Sequence, residues 1–211
     1  MKNSTYLIIL LALGLVFTSY KWISSASNDN ANCENVNTTF DDIMTRSSVR
    51  SYSSQKVSAE QIDTLLRAAM AAPTAGNKQP WRFVVIDNKE TLKFIGDNFK
   101  TMRMAGNAAA AVIMCGDLSS TFEGEGREYW VQDVSAASEN LLLAAHSIGL
   151  GAVWCGIYPQ SDRVKEFSEM LSLPEGIVPM ACICIGYPAG ENNPKDKWKP
   201  GYIHYNTWND K

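Results

Sequence analysis

The stretch Ala72-Pro73-Thr74-Ala75-Gly76-Asn77-Lys78-Gln79-Pro80-Trp81 constrains this chain more than any other. A helical pattern runs into it, and an apolar run at residues 83–86 leaves it. Pro73 fixes φ and cannot extend the incoming helix, so it predicts a stop. Gly76 and Asn77 are the residue types that most readily take positive φ. The chain must therefore turn within ten residues and begin a strand at once. Asn77 and Gln79 carry amides that both donate and accept. Beside Trp81, such a rigid turn has the chemistry to grip a planar heteroaromatic ligand. The same residues also suit an ordinary helix-to-strand turn over a core tryptophan.

The helix before this turn is clearly marked. Ser58 and Gln61 form a capping-box pattern, and Val57 with Ile62 fits a hydrophobic staple. Ile62, Leu65, Leu66, Ala69 and Met70 share one apolar face. Upstream, Phe40, Ile43 and Met44 predict a short helix. After the strand, Asp87 with Glu90 predicts another helix cap, with Leu92, Ile95 and Phe99 inward. Residues 109–115 read as a buried strand and 116–126 as a loop. The longest predicted helix covers 128–148, with Val134, Ala137, Leu141, Ala144 or Ala145, and Ile148 along its stripe and Gly149 at its end. A strand over 151–156, a helix capped by Ser161 and a strand over 178–185 follow. The last residues are polar and aromatic without period, a pattern that predicts wrapping over a surface.

The first 26 residues stand apart. Lys2 precedes an apolar run of twelve over residues 6–17, and Ser24-Ser25-Ala26 offers small residues for cleavage. This reads as a signal peptide or, given Lys21-Trp22, as an N-terminal membrane anchor over residues 5–23. Residues 27–39 are Asn-rich and read as a polar linker, leaving 40–211 as the folded domain. The expected location is the cell envelope, with anchoring on the cytoplasmic side as the other arrangement. Without residues 1–26 the chain has 17 basic and 22 acidic residues, a net charge of −5. No basic block gives nucleic acid a footprint. The five cysteines, at 33, 115, 155, 182 and 184, are odd in number and mostly apolar in setting, which argues against a disulfide framework. With no C-x-x-C and two histidines, a metal site is not expected.

Two chemical readings can be weighed directly. Gly149-Leu150-Gly151-Ala152-Val153-Trp154 lacks the third glycine of the dinucleotide fingerprint and lies between a helix and a strand, the reverse of the required context. A thiol nucleophile would pair Cys155 with His146 or His204, but Cys155 sits among apolar residues, where cysteines usually pack. A third segment, Arg46-Ser47-Ser48-Val49-Arg50, offers two guanidinium forks and hydroxyls to one anion, or a solvated helix end that complements the helix dipole.

Taken together, the Arg46–Arg50 segment, the loop from Ala72 to Trp81 and the Gly149-Leu150-Gly151-Ala152-Val153-Trp154-Cys155-Gly156 stretch occur in an order that resembles the nitroreductase family of flavoenzymes. Lys195-Asp196-Lys197 followed by Ile203-His204-Tyr205-Asn206-Thr207-Trp208 resembles that family's ending. The resemblance covers residues 40–211. It implies an α+β nitroreductase-like fold, a mixed and mostly antiparallel sheet flanked by helices in three layers, and a homodimer with FMN at the subunit interface. It implies that Arg46, Ser47, Ser48 and Arg50 hold the FMN phosphate and ribityl chain, with Lys195 and Lys197 closing over the phosphate. Pro73, Thr74, Ala75, Asn77 and Gln79 match the loop that approaches the flavin from the partner subunit. Gly156 and Ile157 match positions whose backbone amides face the ring's N5 and O4 edge.

The chain departs from the family pattern at Ile157, where a second glycine is frequent, and at Lys197, where arginine is common. Ile157 is expected to narrow the substrate face. The implied activity is an FMN-dependent oxidoreductase that uses NAD(P)H to reduce nitroaromatics, quinones or related small acceptors by ping-pong hydride transfer, with the cofactor carrying the chemistry and no catalytic acid or base assigned. An envelope-tethered electron relay and a reductive dehalogenase are the other functions such a site suits. Acceptor contacts are expected from residues 116–130, with Phe122, Tyr129 and Trp130 lining a pocket.

Overall fold

The computed structural model describes residues 39–208, which belong to a unit spanning Thr39–Lys211. The expected leader and nearly all of the linker lie outside the described residues. Nine regular elements follow in order: α1 (Thr39–Thr45), α2 (Ala59–Met70), β1 (Trp81–Ile86), α3 (Lys89–Asn98), β2 (Ala110–Asp117), α4 (Tyr129–Ser147), β3 (Gly151–Gly156), α5 (Ser161–Met170) and β4 (Ile177–Gly186). A short 3₁₀ segment over Lys100–Asn107 joins α3 to β2, and two more 3₁₀ turns, Leu118–Ser120 and Gly124–Glu128, occupy the connection to α4.

The four strands form one sheet in the order β1-β2-β4-β3, and every neighbouring pair is antiparallel. Among the described residues the sheet is therefore antiparallel rather than mixed, and the parallel pairing of Ser48 with Ala152 at the β3 edge is an isolated bridge outside its strands. Side chains alternate between faces with a period of two. One face presents Val112, Met114, Ala181, Ile183 and Ile185 to α2 and α4. The other presents Ala111, Ile113, Cys115, Cys182 and Cys184 to α3, the 3₁₀ segment and α5, where the tilted rings of Phe99 and Phe167 meet at 4.7 Å. Burial on both faces explains why β2 and β4 read as unbroken apolar runs.

Most predicted elements form within a residue or two of their expected bounds, for the stated reasons. Ser58 Oγ accepts from the Gln61 amide while Gln61 Oε1 accepts from the Ser58 amide, which completes the capping box. Along α4 the buried stripe is Val134, Ala137, Leu141 and Ala145. Several details differ. The α3 cap is Asn88, whose Oδ1 accepts from the Thr91 amide, rather than Asp87 with Glu90. Gln160 rather than Ser161 precedes α5, with no side-chain cap. Ile148 lies beyond the α4 stripe and is partly exposed. Phe40, Ile43 and Met44 do lie on a helix, but all three are more than half exposed. The tail does not wrap this subunit: Trp198 and Tyr205 are 70 % and 77 % exposed.

Candidate functional site

The Arg46–Arg50 segment lies along the free edge of β3. Val49 donates its amide to the Ala152 carbonyl at 3.1 Å, and Ser48 bridges to the same residue. The approach is so close that a Cβ on Gly151 would fall 2.6–2.8 Å from three atoms of Val49. Gly151 is thus a packing glycine that lets an arginine-bearing strand lie against the sheet. The segment is pinned from beneath by Tyr52. Its buried hydroxyl lies 2.8 Å from the Val49 carbonyl and 3.0 Å from that of Cys184, and burial pushes its pKa up, so it remains a neutral donor. No motif marks Tyr52; its role follows from the ring lying against Gly186.

Within the segment, Arg46 is the least exposed cation, and its Nε pairs with Glu139 at 3.1 Å. Arg50 is exposed, with Nη1 3.3 Å from the Ser48 carbonyl. Ser47 Oγ donates to the Asn192 carbonyl at 3.4 Å, and Ala189 donates its amide to the Ser51 carbonyl at 2.9 Å. These bonds bring the start of the C-terminal tail beside the arginines, with Lys195 and Lys197 a few residues further on and exposed.

At the end of β3, Gly156 is exposed and a Cβ there would meet nothing within 4 Å. Its carbonyl accepts from Arg163 at 3.1 Å. Arg163, on the first turn of α5, is a cation that no motif identified. Ile157 behaves differently from the expectation. Its side chain is fully buried in the α5-side core, and its amide is committed to the Met180 carbonyl at 2.9 Å. The chain turns inward after Gly156, so Ile157 neither narrows a surface nor offers a free amide.

The loop between Ala72 and Trp81 is a tight left-handed turn. Gly76, Asn77 and Gln79 have φ of 54°, 55° and 50°. Holding a non-glycine residue there costs about 1–3 kcal/mol, and local bonds offset that strain. The Asn77 amide donates to the Thr74 carbonyl, the Gln79 amide to Thr74 Oγ1, and Gln79 Nε2 to Asn77 Oδ1 at 2.9 Å. Ala75 donates its amide to Oδ1 of the buried Asp133 on α4, also at 2.9 Å. No motif marks Asp133, which lies on the flank of the buried α4 stripe, one turn before Ala137. Arg82 fixes the far side of the loop through the Gln79 and Trp81 carbonyls, Ser120 and Asp117. Burial would raise the Asp117 carboxyl, but hydrogen bonds from Ser119 and Ser120 and the charge on Arg82 hold it below the usual aspartate value.

Of the three aromatics expected to line a pocket, Trp130 does not. Its indole fills the space above Gly116, where a Cβ would come within 2.2 Å, and it meets Tyr158 edge-on at 4.9 Å. Phe122 and Tyr129 are exposed and stand edge to face at 6.3 Å. The thiol reading also fails. Its hydrogen bond with Cys184, and then burial, push the Cys155 pKa well up, while His146 Nε2 lies 2.8 Å from Thr45 Oγ1.

The β3 edge thus offers a cationic segment and an open glycine, which suit a phosphorylated planar cofactor, whereas the amide-bearing turn leads into β1 at the other edge of the sheet. The profile of the nitroreductase family matches residues 43–112 and 94–187. A relative from Archaeoglobus fulgidus, provisionally named NADH dehydrogenase/NAD(P)H nitroreductase, is 43 % identical over 169 residues, covering 79 % of this chain and 96 % of its own. An FMN reductase (NADPH) from Bacillus subtilis is 28 % identical over 194 residues, covering 82 % and 76 %. Among solved structures, one from Bacteroides thetaiotaomicron with the same provisional name as the archaeal relative superposes with a TM-score of 0.76 at 41 % identity, covering 82 % of this chain and all of that one. An FMN-dependent nitroreductase from Clostridium difficile superposes with a TM-score of 0.70 at 27 % identity, covering 77 % and 96 %.

Proposed function

The chain belongs to the nitroreductase family, and on that premise we propose that it is an FMN-dependent NAD(P)H oxidoreductase that reduces small aromatic or quinone acceptors. The observation that carries this reading is the β3 edge. There the Arg46–Arg50 segment and the unobstructed Gly156 lie at one sheet margin, with the tail leading to Lys195 and Lys197 tied to Ser47. The residues fit the cofactor chemically. Arg46 and Arg50, with Lys195 and Lys197, supply charge and donors for a phosphate dianion. Gly156 leaves room for a flat ring against backbone, where any side chain would intrude.

Bound FMN supplies two-electron hydride chemistry. The protein's contribution is to hold and tune it. Ser47 and Ser48 hydroxyls serve the ribityl chain. The Gly156 amide and the Arg163 charge, which sit together at the end of β3, would face the ring, and fixed donors and charges of this kind favour an electron-rich form. Thr74, Asn77 and Gln79 present a turn already locked by its own bonds, with little left to order on binding. Donor and acceptor would then occupy the same site in turn, in a ping-pong sequence.

We further read the protein as a homodimer. Phe40, Ile43, Met44, Met70, Trp198, Tyr202 and Tyr205 are large apolar or aromatic side chains left exposed on one subunit, and the first three lie on one short helix. A second copy would cover them and bring its own Thr74–Gln79 turn to the flavin of the first. Residues 1–26 are read as directing the protein to the cell envelope, either as a cleaved signal peptide or as a membrane anchor through residues 5–23. Among the described residues no helix is long and apolar enough to cross a membrane, so this assignment rests on the N-terminal sequence and is tested by fractionating cells expressing the full chain and a version lacking residues 1–26.

The function itself is tested by the visible spectrum of the purified protein before and after anaerobic NADH or NADPH. A flavin spectrum that bleaches, and returns on adding a nitroaromatic or quinone, is the expected result. A flavin that no nicotinamide reduces would instead indicate an electron relay.

A further inference from the structure

Beside the turn at 74–79 lies a recess of about 830 Å³ whose lining includes Lys78, Thr121, Phe122, Glu123 and Arg127. That is the size of a small-molecule site. Its two cations differ from the others nearby. Arg82 is saturated by Asp117, Ser120 and two carbonyls. Among the described residues, neither Lys78 nor Arg127 has an ion pair or a side-chain hydrogen bond, although both are exposed on the recess walls.

Lys78 is nonetheless positioned. Its amide donates to the Ala75 carbonyl at 3.2 Å, and its Nζ stands 5.0 Å from the centre of the Phe122 ring. That ring is wedged between two glycines: a Cβ on Gly76 would come within 2.7 Å of it, and one on Gly126 within 2.9 Å of the Phe122 Cβ. Phe122 thus acts as a prop that keeps an ammonium group at the mouth of the recess.

The neutral donors of the lining are already used. Thr121 Oγ1 turns its hydrogen toward the Leu118 and Phe122 carbonyls, and Ser119 Oγ donates to Asp117. Glu123 is the one acid in the lining, so the walls carry a net positive charge.

We infer that this recess binds the anionic group of a redox partner through Lys78 and Arg127, so that the protein favours anionic over neutral ligands of the same shape. The inference rests on the proposed function in one respect, that the 74–79 turn borders the flavin. The anion has two possible sources: a carboxylate on an aromatic acceptor, or the phosphate that distinguishes NADPH from NADH.

The test compares wild-type FMN-loaded protein with the double variant Lys78→Met, Arg127→Met. The kcat/KM ratios for 4-nitrobenzoate over 4-nitrobenzyl alcohol and for NADPH over NADH are measured. Two partly exposed ion pairs, each worth a few-fold, predict a fall of about tenfold in one ratio, smaller at high salt. A fall in the first ratio identifies the acceptor, and a fall in the second identifies the donor. Glu123→Gln should raise the same ratio a few-fold. Both ratios unchanged in a folded, yellow double variant would overturn the inference.

A wild-type protein that fails to reduce its flavin would instead overturn the proposed function. In that case the recess is still decided by calorimetric titration of the same two proteins with benzoate and with adenosine 2′-phosphate. Binding to wild type that weakens about tenfold in the double variant supports the inference. No binding to wild type, or equal binding to both, refutes it.

Discussion

Replacing Gly151 with alanine places a methyl group 2.6–2.8 Å from three atoms of Val49, where ordinary contact begins near 3.4 Å. Val49 must retreat by roughly 0.6–0.8 Å, and it cannot do so alone because its amide is bonded to Ala152 at 3.1 Å. Overpacking of this kind costs about 1–3 kcal/mol, and weakening that hydrogen bond adds about 1 kcal/mol. The expected loss is therefore about 2–4 kcal/mol of a total stability on the order of 5–15 kcal/mol. Because the displaced residues carry Arg46 and Arg50, FMN affinity should fall at least about tenfold, equivalent to about 1.4 kcal/mol. Gly156→Ala is the matched control. Its methyl meets no protein atom within 4 Å, so apo stability should change by no more than about 0.5 kcal/mol while FMN affinity drops. Urea unfolding of the apo proteins and fluorescence titration with FMN read both effects. Gly151→Ala with wild-type stability and affinity would refute the packing argument, and Gly156→Ala with full FMN affinity would show that the ring does not lie against residue 156.

Three further outcomes follow from the same geometry. Asp133→Ala removes the buried acceptor of the Ala75 amide and should destabilise by about 1.5–3 kcal/mol while raising KM for acceptors; an unchanged KM would show that the turn does not depend on this anchor. The Asp117 carboxyl is held below its ordinary value, so the stability it confers is complete above the unfolded aspartate pKa and is lost as pH falls through the lower folded value. Asp117→Asn should flatten that acid limb in a pH series of denaturation midpoints, and an acid limb as steep as wild type would place the responsible carboxylate elsewhere. The Cys115 thiol is pushed up to about 12 by burial, and Cys155, Cys182 and Cys184 are equally enclosed. At neutral pH Cys115 should therefore alkylate about a thousandfold or more slower than a free cysteine, and the other three, being buried, should resist labelling until denaturant exposes them; rapid native labelling of Cys155 would reopen a redox role for it.

Much of the fold was legible because local signals agreed with the global one. The Ser58–Gln61 capping box, Pro73 as a stop and the apolar runs of β2 and β4 each name an element on their own. The candidate cofactor segments were legible as motifs, yet their assembly was not. The docking of Val49 on β3 depends on Gly151 lacking a side chain, a fact about two residues about a hundred positions apart in the chain. Asp133, Arg163 and Tyr52 carry no local pattern; each matters for what it meets across the fold. Trp130 and Ile157 were misplaced for one reason, since sequence reports that a side chain is apolar but not which side of a turning backbone receives it. Phe40, Ile43 and Met44 show the converse. Their helical period is real, yet each is more than half exposed in this subunit, because a period reports a shared face and not what packs on it.

The most direct test of the central claim is the visible spectrum of the full-length protein as purified, followed by anaerobic addition of NADPH or NADH. The account predicts a bound flavin, identified as FMN on release, that bleaches with a nicotinamide and recovers with an acceptor. A colourless protein that takes up no FMN on incubation would contradict it and leave the β3 edge without its proposed occupant.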